Sequence, residues 1–199
     1  MVFLVRHGQT AGNRAKVLQG RGSNQPLNDK GVLQAQAVRR WFEGQHLRID
    51  RVYASPLLRA AQTARIIVPG VEPLTDERLL EMDYGPYEGM DLGNPPPQIR
   101  AFFADFVNTP APEGMEPLQS VTRRLGSFLE MIRPEAVTGN ILIATHAIAM
   151  KGALEYLTEG ANGMYWDRYI GNCAVYRVEA GREGYASPEE VIMKQEERI

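Results

Sequence analysis

The chain has 199 residues, 44% apolar and 23% charged, with a formal net charge of −2. It is therefore long enough to bury one sizeable core, and it offers no sequence-wide basic field that would draw DNA or RNA. One cysteine, Cys173, excludes an intramolecular disulfide and a cysteine-rich metal site, and no apolar run approaches the length that spans a bilayer. The sequence predicts a single domain over residues 1–199, cytoplasmic, with neither a nucleic-acid nor a membrane partner.

"VFLV" (2–5) is short, continuously apolar and rich in β-branched or aromatic residues, the pattern of a strand buried on both faces. After a polar stretch from Gly8 to Asn28, "NDKGVLQAQAVRRWFEG" places Leu33, Ala37, Val38, Trp41 and Phe42 on one helical stripe, with Asn28 or Asp29 as cap and Gly44 as stop. "RVYAS" (51–55) reads as a second strand, and Pro56 opens the helix "LLRAAQTARII".

Residues 69–117 hold nine of the 13 prolines around one short predicted helix, "PQIRAFFADFV", with "PPP" (95–97) as the rigid loop before it. We read about 90–116 as a cap-like insertion over one end of the sheet. "PLQSVTRRLGSFLEMI" (117–132) resumes a stripe of Leu118, Val121, Leu125, Phe128, Leu129 and Ile132. "NILIATH" and "AIAMKGALEYL" repeat the strand-to-helix pattern, "CAVYRVE" is a last predicted strand, and the polar stretch from Gly181 is a predicted peripheral tail or helix. Alternating strand and helix predicts an α/β fold with a mostly parallel central sheet covered on both faces, a three-layer α/β/α sandwich.

In such sheets ligands bind beyond the carboxyl ends of the strands. Arg6 and His7 follow the first strand, Arg59 lies a helical turn after the second, and His146 closes "ILIAT". Any one of these histidines alone is ordinarily structural, and Arg59 alone is ordinarily a solvated helix residue. Together at equivalent strand ends, two guanidiniums and two imidazoles form a pocket for an anion. Arginine suits a phosphoryl group because its fork matches phosphate oxygens. His7, neutral in substantial fraction near pH 7, can attack phosphorus as the nucleophile, and Arg6, Arg59 and His146 can stabilise the equatorial oxygens without a metal or other cofactor. The leaving alcohol needs a proton, for which "TDERLLEMDYGPYEG" offers Asp76, Glu77, Glu81, Asp83 and Glu88; residue type alone does not choose among them.

Six segments in order resemble the histidine phosphatase superfamily, the phosphoglycerate mutase-like enzymes. "LVRHGQTAGN" (4–13) resembles its RHG signature, "LQGRGSNQPLNDKGVLQA" (18–35) its QG and L-T-x-x-G-x-x-Q-A segment, and "SPLLRAAQTA" (55–64) its S-x-x-x-R-x-x-Q-T-A element. "LLEMDYGPYEG" (79–89) is similar to E-x-x-x-G-x-x-E-G, "PEGMEPLQSVTRR" (112–124) to a P-x-G-E-S-like helix start, and "ILIATH" (141–146) to the second-histidine strand. The resemblance implies that His7 is phosphorylated, that Arg6, Arg59 and His146 bind the phosphoryl group, and that Glu81 is the acid. It further implies that Asn13 reaches the phosphate or the His7 ring and that Gln19 and Gly20 line the rim. Ala147 stands where the family usually has a glycine; alanine resists positive φ and carries a methyl into the site, which predicts altered phosphate binding beside His146.

Mutases of this family hold a carboxylated sugar phosphate with additional basic residues in the insertion. Here that segment offers only Arg100 among Phe102, Phe103 and Phe106, and its "PPP" resembles a mutase segment without the arginine pair before it. We therefore expect a phosphomonoesterase acting on a small phosphorylated metabolite with an uncharged or aromatic portion under the apolar cap. Mutase-type phosphoryl transfer and a non-catalytic phospho-ligand binding module are the alternatives. His46 is a predicted solvated loop residue, Cys173 a small apolar strand residue, and Met150, Met164 and Trp166 are predicted core.

Overall fold

The computed structural model describes residues 1–192. Its first strand, β1 (Val2–Arg6), points successive side chains to opposite faces, so its unbroken apolar run requires cover on both. Val2 and Leu4 join one core, while Phe3 and Val5 join another. In β4 (Ile141–Thr145), Ile141 and Ile143 belong to the first core and Leu142 and Ala144 to the second. With β2 (Arg51–Ala54), β3 (Leu74–Thr75), β5 (Val175–Val178) and β6 (Glu189–Glu190), the sheet order is β3-β2-β4-β1-β5-β6. β3, β2, β4 and β1 are parallel; beyond β1, β5 pairs antiparallel to β1 and β6 antiparallel to β5.

The helices are α1 (Ala11–Arg14), α2 (Asp29–Gly44), α3 (Leu58–Ile67), α4 (Pro97–Ala104), α5 (Leu118–Thr138) and α6 (Ala147–Leu157). Ala35, Val38 and Phe42 of α2 with Ala64 and Ile67 of α3 cover one face of the sheet; Leu125, Phe128, Ile132, Ala153 and Leu154 of α5 and α6 cover the other. This is the predicted α/β/α layering.

Several local expectations need correction. Asn28 caps α2 by accepting the Gly31 N–H, but Leu33 is 43% exposed and Ala35 fills the buried stripe, because Gly31, Ala35, Val38 and Phe42 share the face turned to the sheet. Gly44 is the last helical residue, yet the left-handed residue that ends the segment is His46 (φ 53), which is exposed as predicted. The whole predicted stripe of α5 is buried, and the helix runs through Pro134 to bury Ala136 as well. α4 ends at Ala104, short of Val107, because Phe106 turns inward: its ring lies 4.9 Å from Phe102 and 5.7 Å from Phe103. Those aromatics join the core on the α5 and α6 face of the sheet, with Trp166 at 6.4 Å from Phe106, instead of forming an open apolar ceiling.

Met150 and Trp166 are buried, but Met164 is 58% exposed. Cys173 is buried but precedes the strand; it has φ 57 and donates its N–H to the Arg6 carbonyl at 3.1 Å. The stretch from Gly181 supplies edge strand β6, and its last residues, 193–199, lie outside those described.

Candidate active site

Parallel pairing in the register Arg6↔Thr145 makes His7 and His146 the next residues along two adjacent strands. The His7 N–H donates to the Thr145 carbonyl at 2.9 Å, and the two imidazole rings meet edge to face with centroids 5.2 Å apart. On the far side of β4, Ser55 follows the last residue of β2, and the first turn of α3 then delivers Arg59, whose side chain is fully buried.

The turn after β1 is fixed from two sides. The Gly8 N–H donates to Thr63 Oγ1 at 3.0 Å, and that hydroxyl donates to the Arg59 carbonyl at 2.7 Å. From the other side the backbone of α2 comes so close that a Cβ on Gly31 would lie 2.1 Å from the Gln9 carbonyl oxygen. Gly31→Ala is accordingly expected to destabilise the protein by about 1–3 kcal/mol, read as a fall in the urea midpoint. Gly44→Ala, where a Cβ meets nothing within 4 Å, is the control and should leave the midpoint unchanged or raise it.

Protonation follows from the hydrogen bonds. His7 Nδ1–H donates to the Gly8 carbonyl at 2.7 Å, so the lone pair is on Nε2. Arg59 can only donate, and its Nε lies 3.1 Å from His146 Nδ1; His146 therefore carries its proton on Nε2 and donates it to Ser55 Oγ at 2.8 Å. Burial, with Arg6 and Arg59 beside it, holds His7 well below the usual histidine range; burial and then Arg59 do the same to His146. Both rings are neutral at pH 7.

Because the folded values are depressed, the unfolded chain takes up protons first as pH falls below about 6.5. Stability is fully present above that pH and is lost on acidification, at up to about 1.4 kcal/mol per pH unit for each ring. Urea midpoints between pH 7.5 and 5 should show this slope, and His146→Gln should flatten it.

Two of the four remaining Arg59 N–H groups go to the carbonyls of Gly20, at 3.1 Å, and Ser23. Arg6 donates to the Ile170 carbonyl, while its buried Nε has no acceptor among the described residues; nor has Gln19 Nε2. Burial works against both guanidinium charges and Glu81 supports them. An orphaned buried N–H costs roughly 1–3 kcal/mol, so two of them beside two arginines suit an anionic ligand. Gln19 Oε1 accepts from Thr10 Oγ1 at 3.0 Å. Gly20 is wedged between Arg59 and Glu88: a Cβ on it would lie 2.3 Å from Glu88 Oε1. Asn13 forms a capping box with Thr10, and its Oδ1 accepts from Asn172 Nδ2 at 3.2 Å, an amide that also donates to the His7 carbonyl at 3.0 Å.

The five candidate carboxylates separate cleanly. Asp76 pairs with Arg78, Glu77 is exposed, Asp83 is half-buried, and Glu88 accepts the Gly22 N–H. Glu81 is buried at the N-terminus of α6, where Oε1 accepts from Met82 and Ala149 at 2.9 and 3.0 Å and Oε2 from Ile148 at 3.2 Å. Its segment is clamped. Arg124 donates to the Arg78 and Leu80 carbonyls and pairs with Glu116, and Thr145 Oγ1 donates to the Leu79 carbonyl at 2.6 Å. The expectation of strain at Ala147 does not hold. It is the first residue of α6 and not among the positive-φ residues, so its methyl imposes no backbone penalty.

Four further residues at the site escaped the sequence reading. Ser55 obeys the same strand-exit rule that selected the histidines, and Thr63 lies one turn beyond Arg59, so both carried a usable signal. Asn172 carried none, because it reaches the site only through the antiparallel return of β5. Tyr84 is buried, and its phenol is pushed well up by burial and by Glu81, which keeps it a neutral hydroxyl.

A mostly parallel sheet whose adjacent strand ends gather two histidines, two arginines and a buried glutamate is the architecture of the phosphoglycerate mutase-like α/β proteins. The sequence profile of the histidine phosphatase superfamily (branch 1) matches residues 2–189, and the chain belongs to that family. It is 35% identical over 135 residues to fructose-2,6-bisphosphatase TIGAR of Xenopus tropicalis, a match that covers 65% of this chain and about half (48%) of that protein. It is 30% identical over 184 residues to the probable phosphoglycerate mutase GpmB of Yersinia pestis, covering 89% of this chain and 84% of the relative. The crystal structure of phosphoserine phosphatase from Entamoeba histolytica in complex with 3-phosphoglyceric acid superposes with a TM-score of 0.79 at 25% identity, over 98% of this chain and 97% of that one.

Proposed function

We propose that the protein is a metal-independent phosphomonoesterase that hydrolyses a small organic phosphate through a phosphohistidine on His7. The observation that carries this reading is the Gly8 carbonyl on His7 Nδ1, which leaves the Nε2 lone pair free among Arg6, Arg59 and His146. Nε2 attacks phosphorus, and the bond from phosphorus to the ester oxygen breaks. Glu81 gives its proton to the departing oxygen; of its two oxygens, Oε2 accepts only one N–H, which leaves capacity for that proton. In the second half, Glu81 takes a proton from water as the water oxygen attacks phosphorus, the bond to Nε2 breaks, and His7 and inorganic phosphate are released. Arg6, Arg59, Asn13, Gln19, the Ala147 N–H and His146, which turns its Nε2–H from Ser55 to the ligand, surround the equatorial oxygens, with the Gly20 carbonyl steadying Arg59.

In this reading the chain is one domain and about 90–116 is its cap. Hydrolysis is favoured over mutase transfer because Arg100, the one basic residue of the segment, is exposed. The relative named as a bisphosphatase supports the hydrolytic direction. The test is phosphate release from an aryl phosphate with a strong chelator present, combined with alkaline quenching to trap phosphate on His7. Turnover that survives the chelator and label that maps to His7 are expected. Turnover that the chelator abolishes, or label elsewhere, would overturn the proposal.

A further inference from the structure

Proton transfer from Glu81 requires its carboxyl to stand at one place, and the N–H groups of Met82, Ile148 and Ala149 fix only its oxygens. The backbone that carries it is held from α5. Arg124 uses four of its five N–H donors. Nη1 donates to the Arg78 and Leu80 carbonyls at 2.7 and 2.6 Å, and Nε and Nη2 form a bidentate pair with Glu116 at 2.9 and 3.1 Å. Glu116 in turn holds the chain beyond Glu81: its Oε2 accepts the Asp83 N–H at 3.3 Å, and its own N–H donates to the Asp83 carbonyl at 2.8 Å.

The Leu80 carbonyl belongs to the peptide unit that ends in the Glu81 nitrogen, and the Asp83 N–H to the unit that follows Met82. One ion pair thus grips the chain on both sides of Glu81. Its side chains are 17% and 11% exposed, less than in any other ion pair among the described residues. A buried pair often contributes no more stability than apolar residues of the same volume, so stability alone does not account for its place. We infer that Arg124 and Glu116 are positioning residues for proton transfer: they hold the Glu81 carboxyl against the departing oxygen and so determine how poor a leaving group the site expels. This rests on the reading under Proposed function. An alkoxide must be protonated as its bond to phosphorus breaks, whereas p-nitrophenolate departs as the anion without an acid. A displacement of about 1 Å costs about 10²-fold in rate, and here that factor falls on the alkyl ester alone.

The experiment compares kcat/KM for benzyl phosphate and p-nitrophenyl phosphate, a constant that covers the steps through phosphorylation of His7. Arg124→Met is expected to lower the value for benzyl phosphate by about 10²-fold and that for p-nitrophenyl phosphate by no more than about threefold. Glu116→Gln keeps the shape of its side chain and is the variant to read if Arg124→Met does not fold; it should shift the ratio of the two esters in the same direction, by about tenfold. That ratio does not depend on how much of the protein is folded, so a merely structural pair would lower both esters equally. Equal loss for the two esters, or no loss for either, would overturn the inference. Glu81→Gln separates the two failures. It should show the same selectivity at about 10²- to 10⁴-fold; if it does not, or if the parent protein releases phosphate from neither ester, the reading under Proposed function fails first.

Discussion

Replacing His7 by alanine is expected to lower phosphate release by at least about 10⁴-fold, because loss of a covalent nucleophile removes the pathway rather than one contact within it. That factor corresponds to about 5.5 kcal/mol of barrier. The fold should survive. The His7 backbone, which donates to Thr145 and accepts from Asn172, is unchanged by the substitution. Arg6, Arg59 and His146 also remain, so inorganic phosphate should still raise the melting temperature of the variant. Residual turnover within tenfold of the parent would rule out His7 as nucleophile, whatever the melting temperature did.

The second large effect concerns Arg59. Its side chain is fully buried and divides its donors among His146 Nδ1 and the carbonyls of Gly20 and Ser23. Arg59→Met keeps the length of the side chain but strands His146 Nδ1 and the Ser23 carbonyl, at roughly 1–3 kcal/mol for each one left unsatisfied, while the Gly20 carbonyl keeps the Ser23 N–H at 3.3 Å. A loss of stability of about 3–5 kcal/mol is expected in urea titration. Turnover should fall by about 10³-fold, since one phosphate ligand disappears and His146 loses the bond that fixes its tautomer. Arg59→Lys should rescue little of either, because one ammonium cannot span the three acceptors that the guanidinium fork reaches. A lysine variant with parental kcat/KM would show that charge alone matters there and that the fork geometry does not.

The layering was legible because strand and helix periods are sharp in the central elements: "VFLV" and "ILIAT" each divide their side chains between two cores, and α5 buries every predicted stripe residue. The two-residue strands β3 and β6 were not, since all four of their side chains are exposed and only edge pairing creates them. The strand-exit rule found Arg6, His7 and His146 for the same reason it works in general: parallel strands end at one level. It could not single out Glu81, whose place depends on α6 presenting its first N–H groups to a segment some 67 residues earlier. Nor could it show that Phe102, Phe103 and Phe106 close on one another.

The order of the strands also governs when the site can exist. β1 lies between β4 and β5, so the first strand made is held on both sides by strands made late. At ordinary translation speeds roughly 7–28 s pass between synthesis of His7 and of His146. Through that interval the buried edges of β1 have no native neighbour to pair with. The imidazole pair is thus a late product of folding, and an incomplete chain that ends before β4 carries half of the pair and none of its chemistry.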